Sequence, residues 1–138
     1  MEATDNHASQ TAGYPDERSV RRQIRQDLPE ALFRPLPWRV LWFLPLSAVV
    51  LGGIALILTQ SMPWWANLLV ALTVGNSLVA QAFLSHEVLH GAAGLSRRWQ
   101  NFFGWIGFGP MLISPEFWRA WHNRAHHGNT NQGDRDPD

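Results

Sequence analysis

Apolar and polar positions are unevenly spread along this chain. From Val40 to Ser85 it runs 46 residues without one Asp, Glu, Lys or Arg. A bilayer crossing takes about 20 apolar residues, so the run holds two crossings and a short turn. The first is predicted over residues 41–58 and the second over 65–84, with Thr59, Gln60, Ser61, Met62 and Pro63 supplying the polar turn between them. A buried soluble hairpin is the alternative, and the charge-free length argues against it. Residues 1–36 are of another kind: polar, with Pro15, Pro29 and Pro35 and six acidic residues in the first thirty. Their first half is expected to be disordered, and residues 19–32 suit a short surface helix with arginines near lipid headgroups. No stretch there resembles a signal or transit peptide. Further on, Ser114, Pro115 and Glu116 form a helix-start signal, and Gly128 is a candidate stop. The expected fold is all-α: an integral-membrane hairpin, a short interfacial segment and a histidine-bearing helix.

Composition sharpens this picture. Of the eight Trp, Trp38 and Trp42 flank the first predicted crossing, Trp64 and Trp65 the turn, and Trp99 and Trp105 follow the second. Indole rings favour the headgroup level. The cations are all Arg. Arg18, Arg21, Arg22, Arg25, Arg34 and Arg39 precede the first crossing, Arg97 and Arg98 follow the second, and the turn has none. The positive-inside bias then makes the chain multi-pass, with both ends cytoplasmic. Eleven cations balance eleven acids, which argues against a nucleic-acid partner. With no cysteine, disulfides, thiolate metal sites and thiol nucleophiles are excluded.

Candidate chemistry begins where the second crossing ends, because five of six histidines lie in the last 53 residues. If that helix continues past Ser85, His86 and His90 share a face one turn apart and can hold one metal ion. Taken alone, His86-Glu87-Val88-Leu89-His90 fits a zinc-protease H-E-x-x-H with Glu87 as base, or the E-x-x-H of carboxylate di-iron bundles. The latter needs a second E-x-x-H, which the sequence lacks. The second cluster is His122, His126 and His127. On an α-helix His122 and His126 share a face, and His127 lies about 100° around from His126. A pair with an offset neighbour suits two metals better than one. A zinc protease would leave at least two of these histidines unexplained. Phe117, Trp118 and Trp121 read as packing or interfacial residues, and His7 as incidental. All-imidazole ligation suits iron, zinc, copper or nickel.

At these residues the chain resembles the membrane-bound fatty acid desaturase superfamily, which includes related hydroxylases. The resemblance rests on H-E-V-L-H-G (86–91) at the end of an apolar hairpin, W-H-N-R-A-H-H (121–127), and the tail G-N-T-N-Q-G-D-R-D-P-D (128–138). It covers about residues 38–138. Between the boxes, residues 101–113 are apolar but too short to cross. The resemblance places them at the interface, where Gly104, Gly107, Gly109 and Pro110 would serve a bent, non-spanning segment. It implies a di-iron, O2-dependent enzyme acting on a fatty acyl chain delivered from the lipid bilayer. A ferredoxin or cytochrome b5 type donor would supply the electrons. Carried over, His86, His90, His122, His126 and His127 are ligands of two iron ions, and no catalytic residue is separate from them. On physical grounds Glu87 is expected to accept an imidazole N–H from beside the site. For Asp134, Asp136 and Asp138 the alternatives are carboxylates standing behind the ligands or a polar loop, and the loop is the preferred reading. The family's third histidine box has no counterpart here. The chain is therefore expected to be the N-terminal portion of such an enzyme, with no desaturase activity alone. An alkane or carotenoid hydroxylase is the nearer alternative and a membrane zinc protease the more distant one.

Overall fold

A computed structural model describes residues 16–130 and 132–136, and these contain helices and turns but no strand. His7, Asp138 and most of the half-segment expected to be disordered fall outside the described residues, while Glu17 and Arg18 at its end are helical. The chain divides into two compact units after Arg34.

The first unit carries α1, Glu17–Asp27, and a 3-10 turn, Glu30–Phe33. The single surface helix expected over 19–32 is thus broken. Pro29 disfavours helical backbone in the residue before it, and Leu28 is extended at φ −97°, ψ 145°. Arg25 lies over the Phe33 ring at 5.1 Å, a cation–π contact.

The second unit opens with a 3-10 segment, Pro37–Trp42, leading into α2, Phe43–Thr59. Pro63 then precedes α3, Trp64–Leu89. Pro37–Thr59 and Trp64–Leu89 are each long and apolar enough to cross a membrane. Both lie where the charge-free run put them. α3 continues past the predicted crossing and takes His86 with it. Between them, Gln81 Nε2 donates to Ser47 Oγ at 2.9 Å.

α4, Arg97–Phe108, lies against α3. Gly104 and Gly107 make that approach close. A Cβ on Gly107 would run into Ser85 Oγ and the backbone carbonyl of Gln81. Ser85, fully buried, donates to the Phe103 carbonyl at 2.7 Å. These two glycines therefore serve packing, and the bend comes after them at Gly109–Met111. Phe43, Val88 and Ala93 form one buried cluster, joined by Phe103 and Ile106 of α4.

The last helix starts as the sequence indicates. Ser114 caps it by accepting from the Phe117 N–H at 3.1 Å, and Pro115 follows. After one α turn, α5 (Pro115–Trp118), the backbone widens to a π-helix over Arg119–His126. A final turn runs over His127–Asn129, so Gly128 lies inside the helix and does not stop it.

Candidate metal centre

Side chains from two helices converge at the end of α3. His86 lies in its last turn, and His90 caps it, its N–H donating to the His86 carbonyl at 3.1 Å. The two imidazoles sit 4.5 Å apart by ring centroid, so their i,i+4 spacing does bring them together. The Ser114-capped helix brings up His122, and His86 Nε2 lies 3.0 Å from His122 Nε2. Two nitrogens about 2.1 Å from one ion and at right angles to each other are about 3.0 Å apart. The candidate ligand nitrogens of His86, His90 and His122 all lie within 4.8 Å of one another. This donor set fits a first-row transition metal with modest closure.

His126 and His127 join the same cluster. His127 is 5.0 Å from His90 and 4.7 Å from His122, and His126 stacks on His122 at 5.1 Å. The expected 100° offset of His127 belongs to α geometry. In the π-helix each residue turns the chain by less than 100°, because hydrogen bonds close at i+5. His126 and His127 then straddle the face of His122. Such wide turns recur at functional sites.

Below the imidazoles lies Trp118, 3% exposed. Its ring is 5.2 Å from His86, 5.2 Å from His90 and 4.6 Å from His122, and it stacks on Phe108 at 5.5 Å. The expectation that it packs is met, and what it packs against is the histidine cluster. The signal was present: Trp118 is one turn before His122. Arg119, 5% exposed, fastens the next residue to α4. Its guanidinium donates to Asn101 Oδ1 at 2.7 Å and Gln100 Oε1 at 3.2 Å, while Asn101 donates to Glu116 at 2.6 Å. Burial, then Arg97, lowers the Arg119 pKa, and Glu116 opposes them. Nothing in the sequence reading had singled out Arg119.

Asp136 holds His126, with Oδ1 2.7 Å from Nδ1. A carboxylate only accepts, so Nδ1 carries the proton, and it is the neutral ring's Nε2 that would offer a lone pair to a metal. The polar-loop reading is corrected for Asp136. It stands for Asp134, which is exposed in a turn. The proton acceptor expected of Glu87 is found at Asp136. Glu87 itself faces Arg39, with 2.8 Å between Oε2 and Nη1 and 3.2 Å between Oε1 and Nη2.

Desolvation, then the charges that His86, His127 and His122 would carry, lowers the His90 pKa to about 4. The ring is neutral near pH 7 and able to donate a lone pair. Beside the cluster opens an apolar cavity of about 260 Å³, lined by Val79, Ala82, Phe83, His86, Phe108, Met111 and Trp118. Val79, Ala82, Phe83 and His86 follow one face of α3 over about 10 Å, so the cavity runs along that helix to an imidazole.

The fatty acid desaturase family model matches residues 63–138. A probable fatty acid desaturase of Sorghum bicolor is 33% identical over 116 residues, covering 82% of this chain and 29% of its own length. A Synechocystis protein named as an sn-1 acyl-lipid omega-3 desaturase (ferredoxin) is 25% identical over 115 residues, covering 83% of this chain and 32% of its own. The chain thus spans about three-tenths of the length of these curated relatives. No solved structure matches it.

Proposed function

This chain belongs to the fatty acid desaturase family, and from that premise we propose that it serves a membrane enzyme that uses O2 to place a double bond in a fatty acyl chain. The observation that carries the proposal is the meeting of His86 and His90 with His122, at 3.0 Å between Nε2 atoms from residues 36 apart in sequence. His126 and His127 stand against the same three rings. These five histidines would supply part of the ligand set of two iron ions. When bound, the iron supplies O2 activation at the expense of donated electrons.

The chain's own residues do the rest. Asp136 keeps the proton of His126 on Nδ1. Trp118 supports His86, His90 and His122 from below and keeps water from that side. The apolar cavity seats the acyl chain and brings a stretch of methylenes to His86. α2 and α3 cross the bilayer, so the substrate reaches this cavity from the hydrocarbon. Four exposed indoles, Trp38, Trp42, Trp64 and Trp65, support that placement. The arginine bias supports a cytoplasmic histidine end. An electron donor of ferredoxin or cytochrome b5 type approaches there, and ferredoxin stands in the name of the Synechocystis relative. Glu87, with both oxygens engaged by Arg39, is not set up as the base of a protease.

The test is metal uptake followed by product analysis. Purified in detergent and loaded with Co²⁺, the chain should show the visible absorption of imidazole-bound cobalt. His86→Ala and His122→Ala should each abolish it. Uptake unchanged in both variants would overturn the metal centre. In cells expressing the gene, new lipid double bonds support a desaturase, and an alcohol product would make the protein a hydroxylase.

A further inference from the structure

Among the described residues, Leu112 is the one non-glycine held at positive φ. It sits in the left-handed region at φ 59°, ψ 26°, where glycine is the usual occupant. Its side chain is 92% exposed, so protein packing does not hold it there. The limbs on either side of it run along α3. A Cβ on Gly104 would meet Leu89, and one on Gly107 would meet Ser85 and the Gln81 carbonyl, so α4 is antiparallel to α3. Met111 shares a cavity wall with Val79, about 15 Å along α3 from Leu89. The chain then returns: Pro115 lies against Gly104, and Arg119 donates to Asn101 and Gln100. Residues 102–113 are thus the lower part of a helical hairpin with Leu112 at its tip.

Polarity follows the same geometry. Residues 102–113 carry no charge and no polar side chain except the Trp105 indole. Gln100 and Asn101 on one limb are bonded to Glu116 and Arg119 on the other, so both limbs turn polar at one level. Phe102, Trp105 and Met111 are each about half exposed. Water would penalise that surface and acyl chains would not. The backbone donors of the bend are engaged inside the hairpin. The Gly109 N–H donates to the Trp105 carbonyl, the Leu112 N–H to that of Gly109 at 2.9 Å, and the Ile113 N–H to that of Phe108 at 3.2 Å. Pro110 has no N–H to satisfy. Backbone that enters hydrocarbon has to be satisfied internally in this way.

We propose that this hairpin is re-entrant: it dips into the acyl region of the bilayer beside α3, with Leu112 inserted as its anchor, a placement that rests on α3 crossing the membrane as proposed above. The second crossing ends near residue 84, so Val79, level with the tip, lies about 8 Å inside the hydrocarbon. The segment expected at the interface is thereby embedded. Leucine at the tip gives up backbone ease for an apolar contact with lipid. Phe108 and Met111 belong to both the hairpin and the cavity wall, so the hairpin holds the cavity below the headgroups.

The chain has no cysteine, so Arg98→Cys, Trp105→Cys, Leu112→Cys and, on the shaft, Leu51→Cys can each carry one NBD fluorophore. Each full chain is placed in phosphatidylcholine nanodiscs. Quenching by aqueous iodide is compared with quenching by lipids brominated along the acyl chain. Iodide is a charge and stays out of hydrocarbon, so its quenching should fall about tenfold from Arg98→Cys to Leu112→Cys, with Trp105→Cys between. Brominated lipid should give the reverse order. A helix lying flat at the interface gives equal quenching at all three, and that result would overturn the inference. So would a Leu112→Cys label shielded from iodide yet untouched by brominated lipid, because a protein partner would then cover the tip. Leu51→Cys separates this inference from the reading beneath it. A shielded Leu51→Cys beside an iodide-quenched Leu112→Cys refutes the hairpin and leaves the crossing standing. Iodide quenching at Leu51→Cys refutes the crossing and the hairpin with it. Far-UV circular dichroism of every labelled chain should match the wild type, since the replaced Leu112 side chain is almost fully exposed. The Trp105→Cys label tests the descending limb independently.

Discussion

The shaft of the hairpin and its histidine end use the same apolar residue types in opposite ways. In the shaft, leucines face outward: Leu58 is 77% exposed, and only Phe43 and Val50 of α2 are buried. At the histidine end Val88, Leu89 and Trp118 are almost wholly covered, each by named partners. The shaft needs apolar character and helical length. The other end needs particular shapes at particular places, because there packing aims candidate ligand nitrogens. Substitutions should therefore be costly at one end and nearly silent at the other.

Trp118→Ala should show the largest effect. It empties the space under three imidazoles, at a cost of about 3–5 kcal/mol. Cobalt uptake should disappear while far-UV circular dichroism keeps the helical signal of the shaft. Arg119→Met comes next, since it strands the amides of Asn101 and Gln100. A loss of about 1–3 kcal/mol is expected in thermal melts, with weaker cobalt absorption and partial recovery in Arg119→Lys. A pair of glycines sharpens the contrast between the two ends. Gly107→Ala forces α4 off α3 and should cost about 1–3 kcal/mol. Gly52→Ala, with nothing within 4 Å of its Cβ position, should be neutral or stabilising by up to about 1 kcal/mol. Equal melting shifts for the two would undo the comparison. The last change is Asp136→Asn. It should leave the melting temperature in place and weaken cobalt binding about 10–100-fold by titration.

How much of this was legible in the sequence depends on how far apart the causes lie. The two long helices follow from a charge-free run and a Pro-containing turn, both local signals. The facing of His86 and His90, and the Ser114 cap, are likewise set within one turn of helix. The 3.0 Å contact between His86 and His122 joins residues 36 apart, and spacing within each box says nothing of it. Glu87 was assigned to an imidazole because its partner, Arg39, lies 48 residues away. Asp136 reaches His126 across ten residues through a turn whose geometry no periodic pattern encodes. Gly104 and Gly107 were read as breakers because their role exists only in the presence of α3 and Pro115. The widening of the last helix was equally hidden, since α periodicity was the frame in which those residues were read.

That widening bears on how the histidine spacing itself is to be understood. Between Arg119 and His126 the chain holds more residues per turn than an α-helix would. The surplus is slack wound into the backbone. Delete one residue, Ala125 for instance, and the segment can relax to ordinary winding while the chain beyond it keeps nearly its old direction. The interval from His122 to His127 is thus a distance along a coil whose gauge is local. Two chains with identical histidine intervals and different gauges would present different sets of nitrogens to the same ion.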